Sequence, residues 1–97
     1  MEIDMSLKNA RLYAGCKVEV VGGRDTLVTP VVEATNIVGK NANAIVEATP
    51  RQERAAVTLT GPMAVWAYLI VFHAVVHAFG EVWYSDGRND PVLVSKH

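Results

Sequence analysis

The last 25 residues of the chain hold the side chains best suited to chemistry. His73 and His77 are spaced i, i+4, so on a helix they project from the same face, one turn apart. That spacing lets two imidazoles reach one metal ion, and Asp86 and His97 are the available further ligands. Imidazole with carboxylate suits Zn, Mn or Fe, so these four residues predict a metal site. The alternative is a set of histidines that hydrogen-bond within the protein.

A second candidate is an anion site where a strand is predicted to end and a helix to begin. Thr60-Gly61-Pro62 would place free backbone N–H groups and the positive end of the helix dipole there, as phosphate binding requires. An ordinary strand-to-helix turn is the alternative, since no Gly-rich fingerprint accompanies it. Arg88 is the cation best placed for an anionic ligand, unless it is a solvated turn residue. Trp66 would stack on a nucleobase or pack in the core.

The elements that must position these residues follow the order β(β)–α–β–α–β–β. Apolar periodicity and turn residues predict strands at 11–14, 17–21, 55–60, 81–84 and 91–95, and helices at 31–48 and 63–79. The first helix contains Gly39 and an Asn-rich stretch, so it is predicted to be broken or split in two. Gly22-Gly23 indicates a hairpin turn, Arg51 to Arg54 a solvated loop, and Gly80 a helix C-cap. Strand–helix–strand units with the helices on one face predict a single domain, 1–97, built as a two-layer α/β sandwich.

Composition excludes several classes of protein. Nine Lys and Arg against ten Asp and Glu give a net charge of −1, so a broad basic face for duplex DNA is not expected. The single cysteine, Cys16, cannot form an intrachain disulfide, which predicts a reduced, cytoplasmic protein. The N-terminus lacks the basic and apolar regions of a signal peptide. Met63–Phe79 carries no formal charge but is short for a membrane span and contains two histidines, so a buried helix is predicted instead.

Residues 56–97 resemble the small CRISPR-associated ring nucleases of the third group, which accompany type III CRISPR systems. The matching features are a strand ending at Thr60-Gly61, Trp66 five residues on, and His73 seven after that. His77, the strand Val82-Trp83-Tyr84 leading to an acidic turn, and a closing strand that ends Ser95-Lys96-His97 complete the match. The matched region is about two-fifths of the chain, and the first 50 residues carry no matching motif.

The resemblance implies a ferredoxin-like, CARF-related domain that forms dimers or tetramers. It implies an enzyme that binds cyclic tetra-adenylate and cleaves it to linear oligoadenylates with the help of manganese. Trimming of single-stranded RNA 3′ ends is a further activity that the resemblance implies. The resemblance assigns metal binding to four residues, His73, His77, His97 and Asp86. It assigns catalytic roles to His77 and Asp86. Gly61, Trp66 and Arg88 are the ligand-binding candidates. The alternatives are a sensor domain that binds the messenger without cleaving it and an oligomerisation module with structural histidines.

Overall fold

The computed structural model describes residues 1–97 and contains six strands and two α-helices. The strands are β1 (Glu2–Asp4), β2 (Val18–Val21), β3 (Arg24–Leu27), β4 (Ala56–Thr60), β5 (Glu81–Ser85) and β6 (Val92–Lys96). The helices are α1 (Val31–Ala48) and α2 (Val65–Val75), and a short 3₁₀ turn spans Arg51–Glu53.

The main sheet has the strand order β1-β4-β5-β6, and β2 and β3 form a separate hairpin. Strands β1, β4 and β5 are parallel, while β6 runs antiparallel to β5 with a bulge opposite Val82 and Trp83. The two-layer α/β sandwich is therefore confirmed, and β4 lies in the interior of the sheet. Within the main sheet the order β-α-β-α-β-β makes two consecutive βαβ units, which differs from the β-α-β-β-α-β order of ferredoxin-like domains.

The core forms between one face of the sheet and the two helices. Val57 and Leu59 alternate with half-buried residues along β4, so every second side chain points toward the helices. Ala67, Val71 and Val75 follow at i, i+4 and i+8 on α2 and are buried by the same contact. The cluster is completed by buried residues of α1, β1 and the 5–13 segment, and by Phe79 and Val82.

Helix α1 is continuous, so the predicted break at Gly39 and the asparagines is wrong. A Cβ at Gly39 would lie 3.5 Å from Cγ2 of Ile70, which shows that α2 packs closely against α1 at this point. Asn41 donates its side-chain N–H groups to the carbonyl oxygens of Leu12 and Ala14, at 2.8 Å each. Packing against α2 and these tertiary hydrogen bonds offset the weak helix propensity of both residues.

Two further local predictions are corrected near the N-terminus. Residues 11–14 form turns rather than a strand, and Leu12 and Tyr13 are buried there, with the Tyr13 hydroxyl donating to the carbonyl of Met5. The acidic segment Glu2–Asp4, in which no strand was predicted, pairs with β4 as β1. The hairpin turn at Gly22 and Gly23 is confirmed, with φ of +58° and +77°.

Helix α2 is shorter than the sequence predicts. It ends at Val75, and turns continue the chain to Phe79 and Gly80. Gly80 is no left-handed cap; it is where two backbones meet, because an added Cβ would lie 2.9 Å from the carbonyl oxygen of Ala55. No helix of this structure combines the length and apolar character that crossing a membrane would require.

Candidate functional site

Two of the predicted histidines meet at the end of the sheet where β5 begins. His77 lies in the turn after α2, and His97 follows β6, with its backbone N–H donating to the carbonyl of Gly80 at 2.8 Å. The two imidazole rings are 5.5 Å apart between centroids and tilted by 45°. Both side chains are exposed, so the pair is open to a ligand from solvent.

Two arginines join His77 around a cavity of about 390 Å³. Arg51, Arg54, His77 and Ala78 line it. We call Arg51, Arg54, His77 and His97 the His–Arg pocket. No acidic side chain lines this cavity, so its electrostatic character suits an anion.

The position of Arg54 follows from the end of α1. Its Nε donates to the carbonyl of Thr49 at 2.9 Å and one terminal nitrogen donates to that of Val46 at 2.8 Å. The last turn of α1 contains no basic residue, so Arg54 supplies the cation at the negative end of the helix dipole and donates to carbonyls there. The sequence prediction of a solvated loop at 51–54 is wrong for Arg54, and the missing cation at the end of a long helix is the signal that would have identified it.

His73 lies in the last turn of α2 and is exposed, whereas His77 lies beyond the end of the helix. The helix ends at Val75, so the prediction that one helix carries both His73 and His77 on the same face is wrong. His73 is not among the residues that line the cavity with Arg51 and Arg54.

Asp86 lies at the opposite end of β5 from the His–Arg pocket. His97 is bonded to Gly80 just before β5, and Asp86 comes directly after Ser85 at its far end. A strand of this length separates them by roughly 15–20 Å. No three His, Cys, Asp or Glu side chains form a group that could hold a metal ion. The predicted set His73, His77, Asp86 and His97 is thus not brought together within one chain.

Asp86 organises its own turn instead. Its carboxylate accepts the backbone N–H groups of Arg88 and Asn89 and the side-chain amide of Asn89, each at 2.8 Å. These bonds, with Asn89 first, hold the pKa of Asp86 below its ordinary value, because hydrogen bonding to the charged form stabilises it. The Arg88 side chain is exposed beside this turn.

Gly61 and Asp86 line one cavity of about 300 Å³ with Thr60 and Ser85. It lies at the carboxyl ends of β4 and β5, where ligands of open α/β sheets commonly bind. Gly61 has φ of +107°, and a Cβ there would lie 2.6 Å from Oδ1 of Asp4, at the end of β1. We call this region, with Asp4, Gly61 and Asp86, the carboxyl edge. Trp66 is half-buried and packs against the core cluster, which supports the core alternative for that residue.

Two tyrosines fix the backbone beneath the carboxyl edge. Tyr68 donates its hydroxyl to the carbonyl of Gly61 at 2.5 Å and meets Tyr84 edge to face, with centroids 5.5 Å apart. Tyr13 donates to the carbonyl of Met5, also at 2.5 Å. Burial raises the pKa of both phenols, and the carboxylate of Asp4 adds to the effect.

These raised pKa values predict a loss of stability in alkali. A phenol whose pKa is higher in the folded state stabilises the fold fully below its unfolded pKa of about 10, and that contribution is lost as the pH rises further. We expect urea midpoints to fall above that pH, and Tyr13→Phe to flatten the fall while costing about 1 kcal/mol at neutral pH for its hydrogen bond. Urea unfolding of both proteins across the alkaline range measures this; parallel pH profiles would contradict it.

The fold and the two cavities define a mixed α/β domain with a cationic pocket at one end of the sheet and a polar crevice at the other. No protein-family model matches the chain, and neither the curated proteins nor the solved structures contain a significant match.

Proposed function

We propose that this protein binds and cleaves a phosphodiester at the His–Arg pocket, with cyclic tetra-adenylate as the substrate that its resemblance to ring nucleases implies. The observation that carries the proposal is the meeting of His77 and His97 beside a cavity lined by Arg51 and Arg54. Two imidazoles supply a base and an acid, and guanidinium groups match the charge and geometry of a phosphate. All four side chains are contributed by loops or element ends held by a rigid sheet and helix.

The chemistry that this arrangement supports is transfer of the phosphoryl group within the RNA strand. One imidazole removes the proton of a ribose 2′-hydroxyl, whose oxygen then attacks the adjacent phosphorus. The other imidazole gives a proton to the departing 5′-oxygen as the P–O bond breaks. The products are a 2′,3′-cyclic phosphate and a 5′-hydroxyl, and Arg51 stabilises the charge that develops on the phosphoryl oxygens.

Manganese remains a prediction of the resemblance. Manganese sites are typically octahedral and rich in oxygen ligands. His77 and His97 offer two nitrogen donors, and no carboxylate joins them within one chain. The described side chains do not by themselves fit such a site, so the steps above use only the protein's own groups.

A second candidate function is binding of the messenger without cleavage, at the carboxyl edge. Its support is that Gly61 and Asp86 line one crevice there. A neighbouring cavity of about 450 Å³ is lined by Lys8 and Arg24, which can pair with phosphates, and also by the acidic Asp25. In this case Arg88, exposed beside Asp86, is a further phosphate contact.

Incubation of the purified protein with cyclic tetra-adenylate, in Mn²⁺ and separately in EDTA, tests the proposal. We expect linear products ending in a 2′,3′-cyclic phosphate in both samples, identified by chromatography and mass spectrometry. Products that form only with Mn²⁺ would contradict cleavage by the histidine pair alone and support the metal site of the ring nucleases. An intact ring that co-elutes with the protein would support the binding function, and an intact ring without binding would exclude both. A 3′-tailed RNA oligonucleotide in parallel tests the trimming activity.

A further inference from the structure

We infer that the groove between α2 and the edge strand β6 binds a small amphipathic amine, with its apolar body in the groove and its positive head group beside Asp86. The groove contains a cavity of about 450 Å³, and all ten residues that line it are hydrophobic. Helix α2 contributes Leu69 and Phe72, and the sheet contributes Tyr84 and Val94. The inference does not depend on the proposed cleavage, which is placed at the other end of the sheet.

The groove is open because no helix covers β6. No residue of this strand is buried, although it carries the apolar run Val92-Leu93-Val94. Helix α2 also leaves apolar side chains uncovered, since Val65 is 72% exposed and Leu69 is 63% exposed. Its eleven residues include a single polar side chain besides Tyr68, that of His73. A helix that is hydrophobic on all sides is normally enclosed, so an apolar occupant is expected beside it.

The aromatic walls of the groove are held in place by contacts within the protein. Tyr68 donates its hydroxyl to the carbonyl of Gly61 and meets the ring of Tyr84 edge to face, with centroids 5.5 Å apart. The indole N–H of Trp83 donates to Oε1 of Glu81 at 3.0 Å. Sites for small molecules are usually preformed, mostly apolar and about 300–1,000 Å³ in volume. The groove has these properties.

The volume of the cavity sets the size of the ligand. About 450 Å³ is the space that about 15 molecules occupy in liquid water, at about 30 Å³ each. The groove therefore has room for a ligand of roughly 10–15 non-hydrogen atoms. No charged side chain lines it, so a nucleic acid or a charged peptide would find nothing to pair with there.

The head group of the ligand follows from the crevice into which the groove opens. Tyr84 lines both the groove and the crevice at the carboxyl edge. Asp86 also lines the crevice and comes two residues after Tyr84, which is about 7 Å of extended chain. The carboxylate of Asp4 lies at the same edge, against Gly61. A ligand that fills the groove thus reaches two carboxylates with its end.

These charges favour a cation. Neither cavity is lined by Lys, Arg or His, and Arg88 is exposed in the same turn as Asp86 but lines neither. The carboxylates of Asp4 and Asp86 outweigh the partial charge of about +0.5 at the start of α2. A positive head group can also lie over the ring of Tyr84. This occupant is compatible with cleavage at the His–Arg pocket, but not with phosphate binding beside Asp86.

Isothermal titration calorimetry at pH 7 with three eight-carbon probes tests the inference. The probes are n-octylammonium, 1-octanol and octyl sulfate, which share one apolar chain, so differences between them report the head group. We expect octylammonium to bind with a Kd of about 0.1–1 mM, as suits a ligand of this size. Octyl sulfate should bind at least tenfold more weakly than octylammonium, with 1-octanol between the two, because the carboxylates repel an anion.

Two variants with matched controls locate the ligand. Leu69→Asn should weaken the binding of octylammonium at least fivefold, because it removes part of the apolar wall. Its control is Val32→Asn, since Val32 is 78% exposed but lies on α1, away from the groove. Asp86→Asn should reduce the preference for octylammonium over 1-octanol to about twofold or less. Asp90→Asn removes a charge from the same turn at a residue that lines neither cavity, and should keep the preference.

Circular dichroism and a cooperative urea transition establish that each variant is folded before its titration is interpreted. Octyl sulfate that binds as tightly as octylammonium overturns the inference. So does a chain that takes up none of the three probes, including one that covers the groove by associating with itself. Binding that Leu69→Asn leaves unchanged, or a preference for octylammonium that survives Asp86→Asn, would also contradict the assignment.

Discussion

His77→Ala is expected to lower the rate of cyclic tetra-adenylate cleavage by about 10²–10⁴-fold, the range in which a general acid or base contributes. His77 is the histidine that lines the cavity with both arginines, and its ring faces that of His97. The side chain is exposed, so its removal leaves no cavity in the core, and the urea midpoint should stay unchanged. Single-turnover product formation, with unfolding measured in parallel, gives both quantities.

His97→Ala and His73→Ala sharpen this test. Loss of His97 should reduce cleavage to a similar degree, and the double variant His77→Ala/His97→Ala should be little worse than either alone, because the two rings act as a unit. His73 lies outside the cavity, so an acid–base pair of His77 and His97 leaves its variant active, whereas a metal site that includes His73 does not. Unchanged turnover in His77→Ala would refute the assignment of the site.

Phe79→Ala is expected to cost about 3–5 kcal/mol of unfolding free energy, the range for deleting a buried aromatic ring. Phe79 is only 2% exposed and has the largest of the fully buried side chains, although it lies after α2 and not in a helix. Phe79 lies two residues after His77, and its buried ring holds the segment that carries His77 against the core. Small domains have about 5–15 kcal/mol of stability in total, so this variant is expected to be marginally folded.

Phe79→Leu is the matched control for that experiment. It keeps most of the apolar volume and should lose about 1–2 kcal/mol. Urea unfolding at neutral pH measures both variants, and equal midpoints for Phe79→Ala and the natural sequence would show that the ring contributes nothing to the core. In Phe79→Leu the His77–His97 pair should also persist, so its cleavage rate should fall much less than that of His77→Ala.

The sequence predicts those elements in which the apolar residues of the sequence pattern are also the buried residues of the fold. Strand β4 is short, mostly apolar and followed by Gly61, and the strand predicted at 55–60 matches it within one residue. Strand β1 could not be found in this way, because Glu2 and Asp4 flank a single buried residue, Ile3, and its pairing partner is more than fifty residues away. Its strand character comes from tertiary pairing, which overrides local preference.

The candidate site was predictable only in part for a related reason. The spacing of His73 and His77 predicts a common helical face, but it does not show that α2 ends at Val75, before His77. Whether Asp86 joins the histidines depends on the end of β5 at which each residue lies, and His77 precedes that strand whereas Asp86 follows it. Nor does spacing reveal that Arg54 folds back onto the end of α1 and lies beside His77. These are relations between elements, and they become visible only when the sheet is assembled.

The pairing of β1 with β4 has a consequence for how the chain acquires its structure. Ile3 is the partner of Leu59, so the first strand has no place in the sheet until the central strand has left the ribosome and folded back. The hairpin β2–β3 and helix α1 depend on local contacts and can form earlier. The loop between β1 and β4 must close before these two strands can pair, and closing a long loop costs conformational entropy. We therefore expect this domain to fold more slowly than domains of the same size with mainly local contacts. Docking of the N-terminal strand is therefore expected to be a late step, and the amides of β1 should be the last of the main sheet to gain protection from hydrogen exchange during refolding.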